Sequence, residues 1–408
     1  MNPQRRKTKP FQASHRPDYT LTILIFALIA IGLIMIYSIG WITVLKQTGG
    51  SSSKNTFFIT QIFSLGLGVL LWYFISRIHY TFWQKYASVF FYGSLLLMFL
   101  VLVPGISVKS NGASRWIHLG PLINFQPVEF FKLGIILFVA AWIQKNKEKL
   151  NNPIEGLLPI MAIIGLSMAL VVFLQKDMGS ASVIVSTILT MYFLSGVSIQ
   201  MFLIAFTSLI AGAVLLVASS SYRLARYLTF LNTSSDPTGS GYHINQALIA
   251  IGSGGVLGKG LGKSLQAYGY LPEATNDSIF AIIGEEFGFL GCILIISLII
   301  GFLWRGYRIV RDAPDDYSRL VAGGIIAWIG FQAFFNVAAM VGLIPLTGIT
   351  LPFVSYGGTS LLALLIAIGI LQNISRYTKG EQLDENRGLR RRNSRAHNTG
   401  ISSSRRAA

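Results

Sequence analysis

Residues 270–304 read YLPEATNDSIFAIIGEEFGFLGCILIISLIIGFLW. After Asp277 the residues are almost all apolar as far as Trp304, a run long enough to span a bilayer. Glu285 and Glu286 interrupt this run. Because a carboxylate surrounded by hydrocarbon is costly, the three acids are expected to face protein or water. The stretch therefore predicts a membrane-spanning helix that carries a functional site.

The composition of the 408-residue chain indicates a polytopic membrane protein. Hydrophobic residues make up 52% of the chain and charged residues only 12%, about half the charged fraction of a soluble protein. The single cysteine, Cys292, lies inside an apolar run, which excludes disulfide frameworks and CxxC metal sites. The net charge of +17 is concentrated at the two ends and suits an anionic membrane face better than nucleic acid.

Apolar runs of about 20 residues predict an all-α fold with about ten transmembrane helices. The predicted spans are 19–40, 57–77, 84–103, 127–144, 157–174, 180–196, 199–219, 278–304, 319–342 and 353–374. A transmembrane domain over 19–376 then lies between a basic N-terminal arm, 1–18, and a basic tail, 377–408, that we expect to be disordered.

The distribution of Lys and Arg predicts that both termini are cytoplasmic, because basic loops stay on that side. With ten spans, the N-terminal arm, residues 145–149, residues 305–319 and the tail all fall there. A large extracellular loop, 220–277, then joins spans 7 and 8. Its length indicates a function, and its helical apolar spacing predicts short interfacial helices over the outer mouth of the bundle.

Residues 252–264, GSGGVLGKGLGKS, approach a nucleotide-binding P-loop but do not match it. That motif needs a glycine where Leu257 stands. Two interpretations stay open. The segment is a flexible glycine-rich turn, or its main-chain N–H groups bind a lipid phosphate together with Lys259 and Lys263.

Two further motifs carry charge near predicted span ends. In NGASRWIHLG, residues 111–120, Arg115 and Trp116 are either an interfacial anchor or a pair that meets a phosphate and stacks on a sugar. In QPVEFFK, residues 126–132, Glu129 and Lys132 share one helix face. They form an ion pair that locks two helices or, as intramembrane charge favours, Lys132 offers charge to an anionic substrate.

Asp277 also has two interpretations. It precedes an apolar helix and suits an N-cap, a role worth about 1 kcal/mol, or it is a general base at the water–membrane boundary. Glu285 and Glu286 lie about 12 Å further along the helix and diverge by about 100°. One of them could pair with Lys132, and neither is expected to be the primary base.

The motif LPFVSYGGTS, residues 351–360, opens the last predicted span. Its glycines and its hydroxyls, Ser355 among them, suit close backbone approach or an anion site. Close helix packing is the equally open alternative.

Taken together, these segments resemble the SEDS family of bacterial wall-building membrane proteins over about residues 17–378. The motifs that carry the resemblance are NGASRWI at 111–117, QPVEFFK at 126–132, QKDMGSA at 175–181, the glycine segment at 252–264, YLPEATNDSIF at 270–280, GEEFG at 284–288 and LPFVSYGGTS at 351–360. The resemblance implies a peptidoglycan glycosyltransferase that polymerises lipid II outside the membrane and works with a class B penicillin-binding transpeptidase.

The resemblance also implies site residues. The essential aspartate of the family falls on Asp277, its loop residues on Arg115 and Trp116, and its fourth-span pair on Glu129 and Lys132. We take Asp277 as the general base. The expected substrate-binding residues are Arg115, Trp116, Glu129, Lys132, Lys259, Lys263, Ser355, Glu285 and Glu286. A divalent cation, Mg²⁺ or Mn²⁺, is possible, and no other cofactor is expected.

The chain departs from the family pattern beside these groups. The family usually has Phe where Ser278 stands, Ser where Val128 stands and Pro where Lys176 stands. The segment before the aspartate and the long basic tail favour the division type, at the septum of the bacterial cytoplasmic membrane, with other division-complex proteins as partners. A polymerase of elongation and cell shape, a lipid II flippase and a non-catalytic scaffold of the division complex stay as alternatives.

Overall fold

The computed structural model describes residues 16–48, 56–103, 107–110, 113–118, 124–232 and 239–378. Most of the predicted basic arm and nearly all of the predicted tail lie outside these residues. The helices are α1 (Tyr19–Thr48), α2 (Thr56–Ile75), α3 (Tyr80–Lys85), α4 (Ala87–Leu100), α5 (Pro127–Lys145), α6 (Leu158–Ala169), α7 (Met178–Leu194), α8 (Ile199–Ala218), α9 (Ser221–Leu231), α10 (Ser240–Gly254), α11 (Ile279–Arg311), α12 (Asp316–Met340) and α13 (Gly358–Ser375). Short 3₁₀ or π segments cover Lys147–Lys149, Pro153–Leu157, Leu170–Leu174 and Gln266–Tyr268.

The predicted helical membrane fold is confirmed. Within the described ranges, eight helical stretches are long and apolar enough to cross a bilayer: Tyr19–Gly40, Phe57–Ile75, Pro127–Lys145, Pro153–Leu174, Ile199–Ala218, Ile279–Arg311, Asp316–Met340 and Gly358–Ser375. The third and sixth predicted spans correspond to shorter apolar helices, α4 and α7. A total of ten crossings stays a prediction.

The purely helical prediction missed a small antiparallel sheet between α4 and α5. Its strands are β1 (Ser107–Ser110), β2 (Ala113–His118) and β3 (Asn124–Phe125), in the order β1-β2-β3. Val108 pairs with Trp116 and Ser107 with Ile117, so three of these four residues are of the β-branched or aromatic types that strands favour. Strands this short leave little alternation in the sequence to detect.

The centre of the bundle consists of α5, α12 and α13, whose side chains are mostly buried. Glycines allow this close packing. A β-carbon at Gly324 of α12 would lie 2.7 Å from Ile136 of α5, and one at Gly323 would lie 2.4 Å from Leu194 of α7. In contrast, the sides of α8 are almost entirely exposed, as expected for a helix surrounded by lipid.

Helix α11 is broken at Gly288, whose φ of 67° and ψ of −160° are not helical. The glycine segment after α10 fills the break and satisfies the main-chain groups on both sides of it. The four bonds run from Lys259 N–H to Glu285 O (3.0 Å), Gly260 N–H to Glu286 O (2.9 Å), Phe289 N–H to Gly255 O (2.9 Å) and Leu290 N–H to Val256 O (3.2 Å). The segment is therefore packed into a membrane-spanning helix, and the prediction of a flexible turn is wrong.

Candidate active site

Asp277 lies in the turn that leads into α11, and only 8% of its surface is exposed. Ser278, rather than Asp277, occupies the N-cap position, so the N-cap interpretation of Asp277 is wrong. The main chain is held from α12, where Asn336 Nδ2 donates to the carbonyl oxygens of Asp277 and Ile349, each at 2.7 Å. These bonds fix the position of Asp277 without neutralising its carboxylate.

The surroundings of Asp277 favour its protonated form. Burial raises the pKa of Asp277 to about 7, and the negative charge of Glu273 acts in the same direction. The main-chain N–H groups of Asp277 and Ser278, and the Ser278 hydroxyl at 3.4 Å, oppose this rise in pKa. A carboxyl group with a pKa near 7 can accept a proton at neutral pH, which suits a general base.

Lys132 lies in a buried polar cluster that joins three helices. Its ammonium is 2.8 Å from the Glu129 carboxylate and donates to Gln332 Oε1 at 3.0 Å. The same glutamate accepts a bond from Ser360 of α13 at 3.2 Å, and the Gln332 oxygen also accepts from Trp328 at 2.8 Å. The Glu129–Lys132 pair therefore links α5 to α12 and α13, and the prediction that a glutamate of α11 could pair with Lys132 is wrong.

Helix α12 connects this cluster to Asp277. Gln332 binds Lys132 with its oxygen and donates from Nε2 to the carbonyl of Thr350 at 3.2 Å. Asn336, one helical turn later, binds the main chain of Asp277. Both amides were missed by sequence reasoning. The available signal was the presence of two amides four residues apart inside the predicted span 319–342.

The predicted last span begins later than expected, because residues 351–357 form a turn before α13. Ser355 Oγ accepts a bond from the N–H of Leu351 at 2.8 Å and so stabilises the turn. The neighbouring Tyr356 N–H donates to Thr275 O at 2.9 Å, two residues before Asp277. Ser355 thus shapes the support of the candidate base. Its expected contact with substrate stays a prediction.

Arg115 projects from β2 and holds the connection between α6 and α7. Its Nε donates to Gln175 O at 2.9 Å and its Nη2 to Lys176 O at 2.6 Å. Both acceptors are neutral carbonyls, so these two bonds do not compensate the positive charge of Arg115. Trp116, the next residue of β2, is half-buried.

The remaining charged candidates lie in the packed glycine segment or, in the case of the two glutamates of α11, contact it. Glu285 accepts bonds from Lys259 Nζ at 2.7 Å and from Ser264 Oγ. Glu286 accepts from Gly262 N–H at 3.1 Å and from Ser38 Oγ at 3.5 Å. The two carboxylates thus both anchor this segment, although they were expected to face different places, and their geometry supports packing rather than substrate binding. Lys263 is exposed.

In the part of the chain that the structure describes, no three His, Cys, Asp or Glu side chains lie close enough together to hold a metal ion. The possible Mg²⁺ or Mn²⁺ stays a prediction. The fold and the site together define a multi-pass helical membrane protein with a buried acid, held by α12, at the start of a broken membrane-spanning helix.

Comparison with known proteins identifies the family. Residues 19–380 match the family described as "Cell cycle protein", which groups FtsW, RodA and SpoVE, and the chain belongs to this family. It is 40% identical to stage V sporulation protein E of Bacillus subtilis (strain 168), covering 89% of this chain and 98% of that protein. It is 37% identical to the probable peptidoglycan glycosyltransferase FtsW of Geobacter sp. (strain M18), with 89% and 98% coverage.

A solved structure supports the same assignment of fold. The chain aligns with a TM-score of 0.72 and 26% identity to a structure described as "Structural coordination of polymerization and crosslinking by a peptidoglycan synthase complex". The alignment covers 89% of this chain and 99% of that chain. The predicted family and the predicted membrane fold are both confirmed.

Proposed function

We propose that this chain is a peptidoglycan glycosyltransferase that polymerises lipid II, with Asp277 as its general base. The observation that carries the proposal is the Asp277 carboxylate, which is buried, fixed through its main chain and, among the described residues, not paired with a cation. A relative that is 37% identical is named as a probable enzyme of this class.

The proposed step joins two disaccharide units carried on lipid. A sugar hydroxyl of the acceptor attacks the anomeric carbon of the donor and forms the new glycosidic bond. The bond from that carbon to the undecaprenyl pyrophosphate oxygen breaks, and pyrophosphate leaves with the electron pair. Asp277 takes the proton of the attacking hydroxyl. Direct displacement inverts the configuration at the anomeric carbon.

The leaving pyrophosphate needs positive charge more than it needs a proton. Arg115 is the stronger candidate for this role, because its guanidinium is bound by neutral carbonyls and keeps its charge. Lys132 is paired with Glu129 at 2.8 Å, so its charge is largely compensated. We assign Lys132 to holding the polar cluster together and to completing the anion site when substrate is bound. Stacking of Trp116 on a sugar ring completes the proposed site.

The relatives support a proposal for the biological setting. We propose that the chain acts in cell division at the septum, with both termini in the cytoplasm and Asp277 at the outer face. A class B penicillin-binding transpeptidase and other membrane proteins of the division complex are the proposed partners. The structural relative is described as a complex that coordinates polymerisation and crosslinking, which supports a transpeptidase partner.

The experiment that tests this function is lipid II polymerisation by the purified chain with its cognate transpeptidase. Asp277→Asn removes the base and keeps the shape of the side chain, so we expect a loss of rate of about 10²–10⁴-fold. Glu155→Gln is the matched control, because Glu155 is an exposed carboxylate whose ion-pair partner, Lys149, is also exposed. The product should be glycan that muramidase degrades.

The alternative functions predict different results. Polymer from Asp277→Asn at the rate of the unaltered protein would contradict the assignment of the base. Movement of labelled lipid II across a bilayer without any polymer would favour a flippase. A flippase would need a relay of charged groups, for which Glu129, Lys132, Asp177 and Glu285 are the candidates. Among the described residues these groups have local partners instead, since Asp177 accepts a bond from Ser180 and Glu285 one from Lys259. Growth supported by Asp277→Asn would favour a scaffold.

A further inference from the structure

The Ser278 hydroxyl lies at the centre of a small buried cluster beside Asp277. Ser278 is 0% exposed, and its Oγ is 2.8 Å from the carbonyl oxygen of Pro272 and 3.4 Å from Asp277 Oδ1. The third neighbour comes from another element, since His243 Nε2 of α10 is 2.7 Å from the same oxygen. The hydroxyl thus connects a histidine of the large loop to the candidate base.

The direction of these hydrogen bonds follows from counting hydrogens. A serine hydroxyl has one hydrogen to donate, the Pro272 carbonyl can only accept, and so can Asp277 in the ionised form that a general base needs. If His243 Nε2 also accepted, at least two of the three neighbours would face a hydroxyl lone pair. Nε2 therefore carries a hydrogen and donates to Ser278. The hydroxyl hydrogen is then shared between the oxygens of Pro272 and Asp277.

We propose that His243 is a positioning residue for the reaction, which acts by orienting the Ser278 hydroxyl toward Asp277. This inference rests on the proposed role of Asp277 as general base. Before the reaction, the hydroxyl hydrogen points to Asp277 Oδ1 and stabilises the carboxylate that must accept a proton. After Asp277 has taken that proton, the hydroxyl rotates to the Pro272 carbonyl. No proton leaves Ser278 or His243, so the balance of the step is unchanged.

Two observations indicate that this cluster has a role particular to this protein. Ser278 stands where the resemblance leads one to expect Phe, which has no hydrogen to offer. In addition, the Ser278 hydroxyl is the side-chain donor that the structure records for Asp277. Glu273 in the same turn adds negative charge, while Asn336 of α12 binds only the main-chain oxygen.

The test is the pH dependence of lipid II polymerisation by the complex with the transpeptidase, for the unaltered chain and three variants. His243→Phe removes the donor, and Ser278→Ala removes the hydroxyl. Both should move the acidic limb of the profile upward by about half a pH unit, a loss of about threefold near pH 6. His243→Gln keeps a donor and should keep the original profile. Rates at high pH, where Asp277 is ionised in every variant, should agree.

A uniform loss of rate at every pH in His243→Phe and Ser278→Ala would overturn the inference and leave the cluster a structural role. Elution as a single species from size-exclusion chromatography checks that each variant is folded. Asp277→Asn in the same assay separates the two proposals. If it is inactive and the His243 and Ser278 profiles do not shift, only this inference fails. If it is active, the general base itself is wrong.

Discussion

Asp277 and Glu285 are buried carboxylates eight residues apart in one segment, and their surroundings are opposite. Glu285 accepts bonds from the Lys259 ammonium, from a serine hydroxyl and from the main-chain N–H groups of Leu265 and Gln266 at 3.1 and 3.2 Å. Among the described residues, the side-chain hydrogen bond recorded for Asp277 comes from the Ser278 hydroxyl at 3.4 Å. Burial alone therefore does not mark a reactive acid. The number of donors around it does.

The comparison assigns the two acids to different tasks. Glu285 is paired with a cation, and its bonds to Lys259 and Ser264 also fix the glycine segment inside the break of α11. A carboxylate held by this many donors serves packing rather than chemistry. Asp277 is held through its carbonyl by Asn336, which leaves its carboxylate oxygens for chemistry. Residues 277–285 thus carry a reactive acid at one end and a structural acid at the other.

The largest expected effect is on stability, and its sign differs between the two acids. Glu285→Ala leaves the buried Ser264 hydroxyl and several partly buried donors without an acceptor, and it should lower the free energy of unfolding by about 3 kcal/mol. At pH values above 7, Asp277→Asn should increase the free energy of unfolding. The pKa of Asp277 in the folded protein, about 7, exceeds its ordinary value of 3.8, so stability is lost as pH rises between these values.

Titration with SDS in detergent micelles at pH 8 measures both changes. Lys263→Ala is the matched control for Glu285→Ala, because Lys263 is an exposed charge in the same glycine segment. It should leave the unfolding midpoint unchanged. Destabilisation by Asp277→Asn as large as that by Glu285→Ala would contradict the division of roles.

The second effect concerns the break that brings the glycine segment to Glu285. Gly288 has a backbone conformation that is almost restricted to glycine, and a β-carbon there would lie 2.4 Å from Gly258 N and 2.5 Å from Val256 O. Gly288→Ala should therefore cost about 2 kcal/mol or more. Gly252→Ala is the control, because no atom lies within 4 Å of its added β-carbon. Equal unfolding midpoints for the two variants would show that the break is not needed.

Sequence reasoning found Asp277, because a carboxylate at the start of an apolar run is costly and needs an explanation. It identified the Glu129–Lys132 pair from the helical spacing alone. It could not find the partners of Glu285, since Lys259 and Ser264 reach it only through tertiary packing of a distant loop. The break at Gly288 was also missed, because a glycine inside a long apolar run is compatible with a continuous helix.

The partners of His243 and Asn336 could not be predicted from the sequence for a related reason. His243 lies in a loop whose position over the bundle no local pattern specifies. Asn336 is one amide in an apolar helix, and its function depends on the two carbonyls that it bridges, at Asp277 and Ile349. Residues whose role is to hold main chain have no chemical motif. Such residues can be identified only from a structure that shows the main-chain groups they bind.

The smallest expected effect tests what raises the proton affinity of Asp277. Protonated Asp277 cannot accept a proton, so the rate should fall below about pH 7, where its pKa lies. Glu273→Gln removes a negative charge and so should move the acidic limb to lower pH, by about 0.3 unit because Glu273 is exposed and its charge is screened. The glutamine can still accept the bond that Asn276 Nδ2 donates to the Glu273 carboxylate at 2.6 Å.

The direction of this shift distinguishes charge from hydrogen bonding. Loss of the Glu273 charge stabilises the carboxylate of Asp277, whereas loss of the Ser278 hydroxyl destabilises it, so the two variants should move the limb in opposite directions. Glu155→Gln, which removes an exposed charge elsewhere, should leave the profile unchanged. An upward shift in Glu273→Gln would mean that the turn before α11 has moved. The pKa of Asp277 would then depend on the position of that turn more than on the charge within it.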